Sequence, residues 1–302
     1  MSRLDRRSFL AGAGAAALAL AADAAGAGAI ARAQGGATAQ TARRTMSASR
    51  MPVGFVAHGA PLLALDPVKG ADLARWAESI PTPRAILTIS AHWEASPPTL
   101  SSDRAGTGLV YDFYGFPARL YRVRHETPPA TELAARLDAL IPGLRRSERG
   151  LDHGAWVPLR HLDPGAAIPT IQISMPRTMS YRELFALGRA LAPLRDEGVW
   201  ILASGNLTHN LRRLDVTDRA LPESWASEFD AWVEGSLLAR DVDALLDAPA
   251  RAPGFALAHP TDEHYRPLLV ALGAAADDLA RISFPVRGFE YGNLSRRSVQ
   301  IG

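Results

Sequence analysis

The chain has no cysteine. That excludes disulfide scaffolds, thiolate zinc sites, iron–sulfur clusters and cysteine nucleophiles together, so any metal must be held by His, Asp, Glu or backbone groups. It also lacks a dominant charge: 33 basic side chains stand against 31 acidic ones. A balance of that kind gives no electrostatic footprint for nucleic acid or an anionic membrane. Aromatic residues are few, at 7%. The nucleotide and hydrolase signatures are missing as well: there is no G-x-G-x-x-G, no G-x-x-x-x-G-K-[ST], no G-x-S-x-G elbow and no H-E-x-x-H. No uncharged stretch is long and apolar enough to predict a bilayer span. What remains is a chain of 302 residues, 47% hydrophobic, with 25 Gly and 22 Pro, which excludes a coiled coil and fits a globular enzyme or binding domain.

Residues 1–33 read as a leader rather than as fold. Arg6-Arg7-Ser8-Phe9-Leu10 is a twin-arginine pair followed by Phe-Leu, an uncharged Ala/Gly/Leu stretch runs from Ala11 to Ala22, and Ala31-Arg32-Ala33 is an A-x-A cleavage site. This is the layout of a bacterial Tat-type signal and predicts a periplasmic protein delivered folded by the Tat export machinery, with no stable membrane anchor. Cleavage there removes four arginines and two aspartates and leaves a body with equal numbers of the two charges. Residues 34–50, rich in Ala, Thr, Ser and Gln, read as a flexible lead-in, and 51–302 as a single catalytic domain.

Within 51–302 short apolar runs alternate with helical patterns. Strands are expected at 52–57, 85–90, 168–173, 199–203, 282–285 and 298–301. Helices are expected over 70–80 and 131–140, after the capping box Ser180-x-x-Glu183, over 222–238 with Trp225, Phe229, Trp232 and Val233 inward, and from a Thr261 cap to about Gly273. The alternation predicts an α/β domain with a central, mostly parallel or mixed sheet flanked by helices, and chemistry at the strand carboxyl ends.

The eight histidines fit that expectation. His58 directly follows the first strand, His92 the second, and His209 the 199–203 strand, so three strands deliver imidazoles to one sheet edge. His153 precedes a helix and His264 lies in the first turn of another. Three N/O ligands leaving open positions make a catalytic metal site, and imidazole suits Zn, Cu, Fe and Ni. His125, in Arg122-Val123-Arg124-His125-Glu126, reads as a charged surface turn, His161 as a helix end, and His259 as a second partner or a loop residue. Asn206 and Asp152 are candidates for fixing histidine tautomers or merely for shaping turns. Trp93, Phe113, Phe116, Trp156 and Tyr265 are candidates for an aromatic pocket.

These segments together resemble the DODA-type branch of the class III, LigB-like extradiol ring-cleaving dioxygenases. The matching stretches are Gly54–Pro61 around His58-Gly59-Ala60-Pro61, Ser90-Ala91-His92-Trp93, Tyr111-Asp112-Phe113-Tyr114-Gly115-Phe116-Pro117, Leu151–Trp156, Ala203–Arg212, His259-Pro260-Thr261-Asp262-Glu263-His264-Tyr265 and Ser298–Gly302. The resemblance implies one mononuclear divalent metal, Fe(II) favoured and Zn(II) also suited, on His58, His92 and His264. His209 is implied as the acid/base or a further ligand, and His153 as a second active-site histidine contacting substrate or oxygen. The substrates implied are a small catechol, DOPA- or protocatechuate-like, and O2. A zinc hydrolase or lyase on the same ligands, and a non-catalytic metal- or phenol-binding protein, are the alternatives. Tyr111 stands where the family often has His.

Overall fold

The computed structural model describes residues 50–217 and 220–302, so the expected leader and most of the lead-in lie outside the described residues. Ten strands are present there: β1 (Val53–Ala57), β2 (Ala85–Ser90), β3 (Thr99–Leu100), β4 (Arg145–Arg146), β5 (Thr170–Ile173), β6 (Val199–Gly205), β7 (Ile282–Val286), β8 (Phe289–Glu290), β9 (Leu294–Ser295) and β10 (Ser298–Ile301). The α-helices are α1 (Ala71–Ser79), α2 (Thr131–Leu140), α3 (His153–Leu162), α4 (Tyr181–Leu191), α5 (Ser224–Leu238), α6 (Val242–Leu246), α7 (Ala248–Arg251), α8 (Phe255–Ala258) and α9 (Arg266–Ala274). Eight strands form one sheet in the order β4-β3-β5-β2-β6-β1-β10-β7, and β8 pairs with β9. The inner four, β5-β2-β6-β1, run parallel, while β10 is antiparallel to β1 and β3 to β5. The sheet is therefore mixed around a parallel centre.

The inner strands are apolar on both faces because helices cover both. Val53, Phe55, Leu87, Ile89, Ile201 and Ala203 turn into a core shared with α2, α4 and α9. Val56, Ile86, Trp200 and Leu202 turn the other way, onto α1 and α3. In that second layer the Trp76 and Trp200 rings meet edge to face at 5.4 Å, and Trp76 Nε1 donates to Gln300 Oε1 at 2.7 Å. In the first layer α4 and α9 cross backbone to backbone. A Cβ on Gly188 would lie 2.1 Å from the Val270 carbonyl oxygen, and one on Gly273 2.0 Å from that of Phe185. Ser180 and Glu183 form the expected capping box at the start of α4.

Three local expectations need correction. Thr261 makes no side-chain cap; Asp262–His264 form a separate 3-10 turn, and α9 starts afterwards with Pro267 in its first turn, where a missing N–H costs nothing. His125 is buried, not a surface turn, at 3% exposure. Trp225 and Trp232 are only partly buried at the rim of the core, because the inward stripe of α5 runs through Ala226, Phe229, Val233 and Leu237. Among the described residues no helix is long and apolar enough to cross a membrane.

Candidate metal centre

The carboxyl ends of β1, β2 and β6 lie side by side, with Ala57 opposite Gly205 and Ser90 opposite Ser204. His58 and His92 follow directly. Gly59 turns the chain away from His58 with a φ of +62°, a conformation open to glycine. The turn carrying His264 docks on the end of β6: the Asn206 N–H donates to the His264 carbonyl at 3.0 Å. A Cβ on Gly205 would stand 2.2 Å from that same oxygen, so only glycine permits the approach. His209, in the loop after β6, is tied by its N–H to the Ala258 carbonyl at 2.9 Å. Asp152 caps α3 through the Ala155 N–H, which sets His153 in the first turn of that helix.

All five candidate imidazoles therefore converge. Ring centroids of His58 and His92 are 4.9 Å apart, of His58 and His264 5.2 Å, and of His92 and His264 4.9 Å. His153 sits 3.9 Å from His92, and His209 stacks on His264 at 3.4 Å. Among the described residues two groups have ligand atoms within 4.8 Å of one another: His58, His92 and His153, and His209, Glu263 and His264. The set named from sequence takes two members from the first group and one from the second.

The hydrogen bonds around the rings fix which nitrogen faces inward. Ser204 Oγ donates to the Gly154 carbonyl at 2.5 Å, so its single proton is used. It must then accept from His58 Nδ1 at 2.9 Å, which leaves the His58 Nε2 lone pair free. That Nε2 lies 3.2 Å from His92 Nε2. Two nitrogens each about 2.0–2.1 Å from a shared ion are separated by roughly that much. Glu263 Oε1 holds His264 Nδ1 at 2.9 Å, and His264 Nε2 is buried with no hydrogen-bond partner. A buried lone pair in that state is costly unless a cation or donor meets it. Asp112 Oδ1 accepts from His153 Nδ1 at 2.8 Å and from the His153 backbone N–H at 3.2 Å, while Oδ2 stands 3.7 Å from His92 Nδ1. The residues thus fit a divalent cation: the Nδ1 atoms of His58, His153 and His264 are held from behind, the Nε2 atoms of His58 and His92 face each other, and that of His264 has no partner.

Electrostatics favour the same state. Burial, then the neighbouring imidazoles, holds His58 and His264 well below the ordinary histidine range. Burial and His153 do the same for His92, against the opposing pull of Asp112. Burial also lowers His209, to about 3, although Glu263 acts in the other direction. Burial pushes the Asp112 carboxyl up, but the hydrogen bond and charge of His153 outweigh it and bring it down to about 2.

Asn206 and Asp152 do not touch the rings. Asn206 Nδ2 donates to the Ser295 carbonyl, and Asp152 Oδ2 accepts from Gln172 Nε2, so both shape turns. The tautomer-fixing work falls instead to Ser204, Asp112 and Glu263. Of the aromatic candidates, Phe113 sets its ring edge on His153 at 5.5 Å and Phe116 packs on Phe113. Trp156 is buried with Nε1 on the Val110 carbonyl, Tyr265 is buried with its hydroxyl on the Leu245 carbonyl, and Trp93 lies under Arg149.

Residues 69–298 match the family described as the catalytic LigB subunit of aromatic ring-opening dioxygenase. The chain belongs to this family. The LigB-type chain is 42% identical over 235 residues to the 4,5-DOPA dioxygenase extradiol of Beta vulgaris, covering 74% of this chain and 87% of that protein. It is 37% identical over 273 residues to the 4,5-DOPA dioxygenase extradiol of Escherichia coli K12, covering 85% and 97%. The crystal structure of an uncharacterised Escherichia coli K12 protein matches with a TM-score of 0.71 and 33% identity, over 84% of this chain and all of that one. The protein is thus a DODA-type LigB enzyme, an oxidoreductase of the extradiol ring-cleaving kind. That decides against the hydrolase, lyase and non-catalytic alternatives.

Proposed function

We propose that the enzyme opens a catechol bearing a short side chain, DOPA- or protocatechuate-like, at one divalent cation held by His58, His92 and His264, with Fe(II) as the working ion and Zn(II) as a chemically suited occupant. The observation that carries this is the pair of facing Nε2 atoms on His58 and His92 beside the unpartnered Nε2 of His264. When bound, Fe(II) supplies Lewis acidity that favours the catecholate and the redox chemistry that O2 requires. Both oxygen atoms enter the product as the ring bond beside the two hydroxyls breaks, so no external reductant is consumed.

The chain's own groups handle protons and orientation. His209, neutral and stacked on His264, would take the second phenolic proton at a ring nitrogen and return it as the ring opens. A catecholate beside it adds negative charge, which raises its affinity for that proton from the low value of the empty site. His153, anchored through Nδ1 on Asp112, presents Nε2 to orient substrate or oxygen. Phe113 and Phe116, both partly buried, pack along this side.

A second reading makes His153 the third ligand, favoured by its 3.9 Å approach to His92. Metal content separates the two: His264→Ala loses the ion and His153→Ala keeps it if the first reading holds. Iron-loaded enzyme should consume O2 with DOPA or protocatechuate and yield a yellow product. His209→Ala should keep its metal and lose turnover; normal turnover in that variant would remove His209 from the base role.

We further propose that the enzyme is periplasmic, exported by the Tat machinery through residues 1–33. Replacing Arg6 and Arg7 by Lys should hold the uncleaved chain in the cytoplasmic fraction.

A further inference from the structure

His209 sits in residues 206–210, which belong to no helix or strand. A base on such a stretch keeps its place only if the loop is tied down on both sides. On one side the ties run to the segment before the His264 turn. The His209 N–H donates to the Ala258 carbonyl at 2.9 Å, and His259 Nε2 donates to the Leu207 carbonyl at 2.7 Å. On the other side, side chains do what a strand ladder would do. Thr208 is fully buried; its hydroxyl donates to the Asn293 carbonyl at 2.5 Å and accepts the Ser295 N–H at 2.8 Å. Asn206 Nδ2 donates to the Ser295 carbonyl at 3.3 Å. Asn293 Nδ2 returns to the carbonyls of Asn210 at 3.3 Å and Arg213 at 2.7 Å.

The 293–295 segment is in turn anchored by charge. Ser295 Oγ donates to Asp230 Oδ1 at 2.6 Å and accepts the Arg297 N–H at 3.1 Å. Arg297 Nε donates to both Asp230 oxygens, at 3.0 and 2.9 Å, and its Nη2 reaches Asp230 Oδ2 at 2.5 Å and Glu234 Oε2 at 2.9 Å. Asp230, Ser295 and Arg297 are all buried. A forked, charge-assisted pair of this kind fixes direction as well as distance. It ties the segment to α5, the helix that carries Asp230 and Glu234.

We infer that Thr208 is the positioning residue of His209, and that the buried Asp230–Arg297 pair is the anchor on which it bears through Ser295. The Thr208 hydroxyl is turned into the 293–295 segment while the ring of the next residue lies on His264, so one side chain sets the place of the other. Thr208 acts through the backbone and takes no part in the proton transfer itself. A reacting group displaced by about 1 Å can lose roughly 100-fold in rate. This rests on the assignment of His209 as the base and adds what holds it there.

Thr208→Val keeps the shape of the side chain but leaves the Asn293 carbonyl and the Ser295 N–H without their partner; Thr208→Ser restores the hydroxyl. In the iron-loaded enzyme Thr208→Val should lower kcat by about tenfold or more while the catechol KM stays within about twofold. Metal affinity, by competition with a chelator, should also stay within about twofold, and Thr208→Ser should recover most of the lost rate. In the His209→Ala background the same valine should change the residual rate by less than about twofold, because the group it positions is gone. In zinc-loaded enzyme the ring nitrogen resonances of His209, identified by their loss in His209→Ala, should shift or broaden in Thr208→Val and return in Thr208→Ser. Ser295→Ala leaves the bonds of Thr208 in place and cuts only the link to Asp230, so it should produce the same pattern more mildly. An unchanged kcat in Thr208→Val, metal affinity that falls in step with kcat, or an equal loss with and without His209 would overturn the inference. Failure of the ring-opening reading looks different: no variant consumes O2 with a catechol, while the resonances and metal affinities still report where Thr208 acts.

Discussion

At the scale of single residues, the site is defined as much by what stands behind the histidines as by the histidines. Ser204 has one proton and spends it on the Gly154 carbonyl, which compels His58 to donate from Nδ1. Ser204→Ala should weaken metal binding by about 10–100-fold, the usual cost of losing such a support, measured by competition with a chelator. Asp112→Asn should lower kcat more than metal affinity, since Asp112 bonds His153 and only approaches His92. The imidazoles were legible in the sequence because strand ends can be read from apolar runs. Their supports were not. Ser204 is part of a strand, and Asp112 lies far along the chain from the rings it serves, so neither carries a local signal. His125 misled for a similar reason: its neighbours Arg122, Arg124 and Glu126 are charged, but the turn points its ring inward.

At the scale of elements, α4 against α9 is the contact most sensitive to volume. Gly188→Ala places a methyl group into the Val270 carbonyl and Gly273→Ala one into that of Phe185, so each should cost about 2–3 kcal/mol and lower Tm by several degrees. Ser180→Ala removes only the cap of α4 and should cost about 1 kcal/mol. Denaturant midpoints would rank the three. The long elements were readable because period and capping agree in them: 131–140 is helical over the expected span, and 85–90 is a strand over its own. The short pieces α6, α7 and α8, the two-residue β3 and β4, and the β8–β9 hairpin were not. Such pieces are held by tertiary contacts rather than by a repeating pattern of their own.

At the scale of the whole molecule, stability should depend on pH through two buried neutral histidines that are not proposed ligands. Burial lowers His125 to about 4, with Asp163 opposing it, and neither ring nitrogen has a hydrogen-bond partner. Burial lowers His259 to about 4 as well, with Nε2 on the Leu207 carbonyl. Between the ordinary histidine value and about 4 the unfolded chain binds protons that the folded one does not. Stability therefore holds above about pH 6.5 and is lost as pH falls toward 4, by up to about 1.4 kcal/mol per unit for each histidine. His125→Gln should flatten the profile of urea midpoints between pH 7 and pH 5.

The backbone joint between Gly205 and the His264 turn brings a late part of the chain onto the strands that open the fold. A cation shared by His58, His92 and His264 would close a loop around most of the described chain, like the buckle of a belt. Because only the folded arrangement can offer all three nitrogens, loading and folding reinforce each other by mass action. Stripping the ion should lower the melting temperature and speed digestion by a protease. The empty form should then be the first to open and the first to be cut.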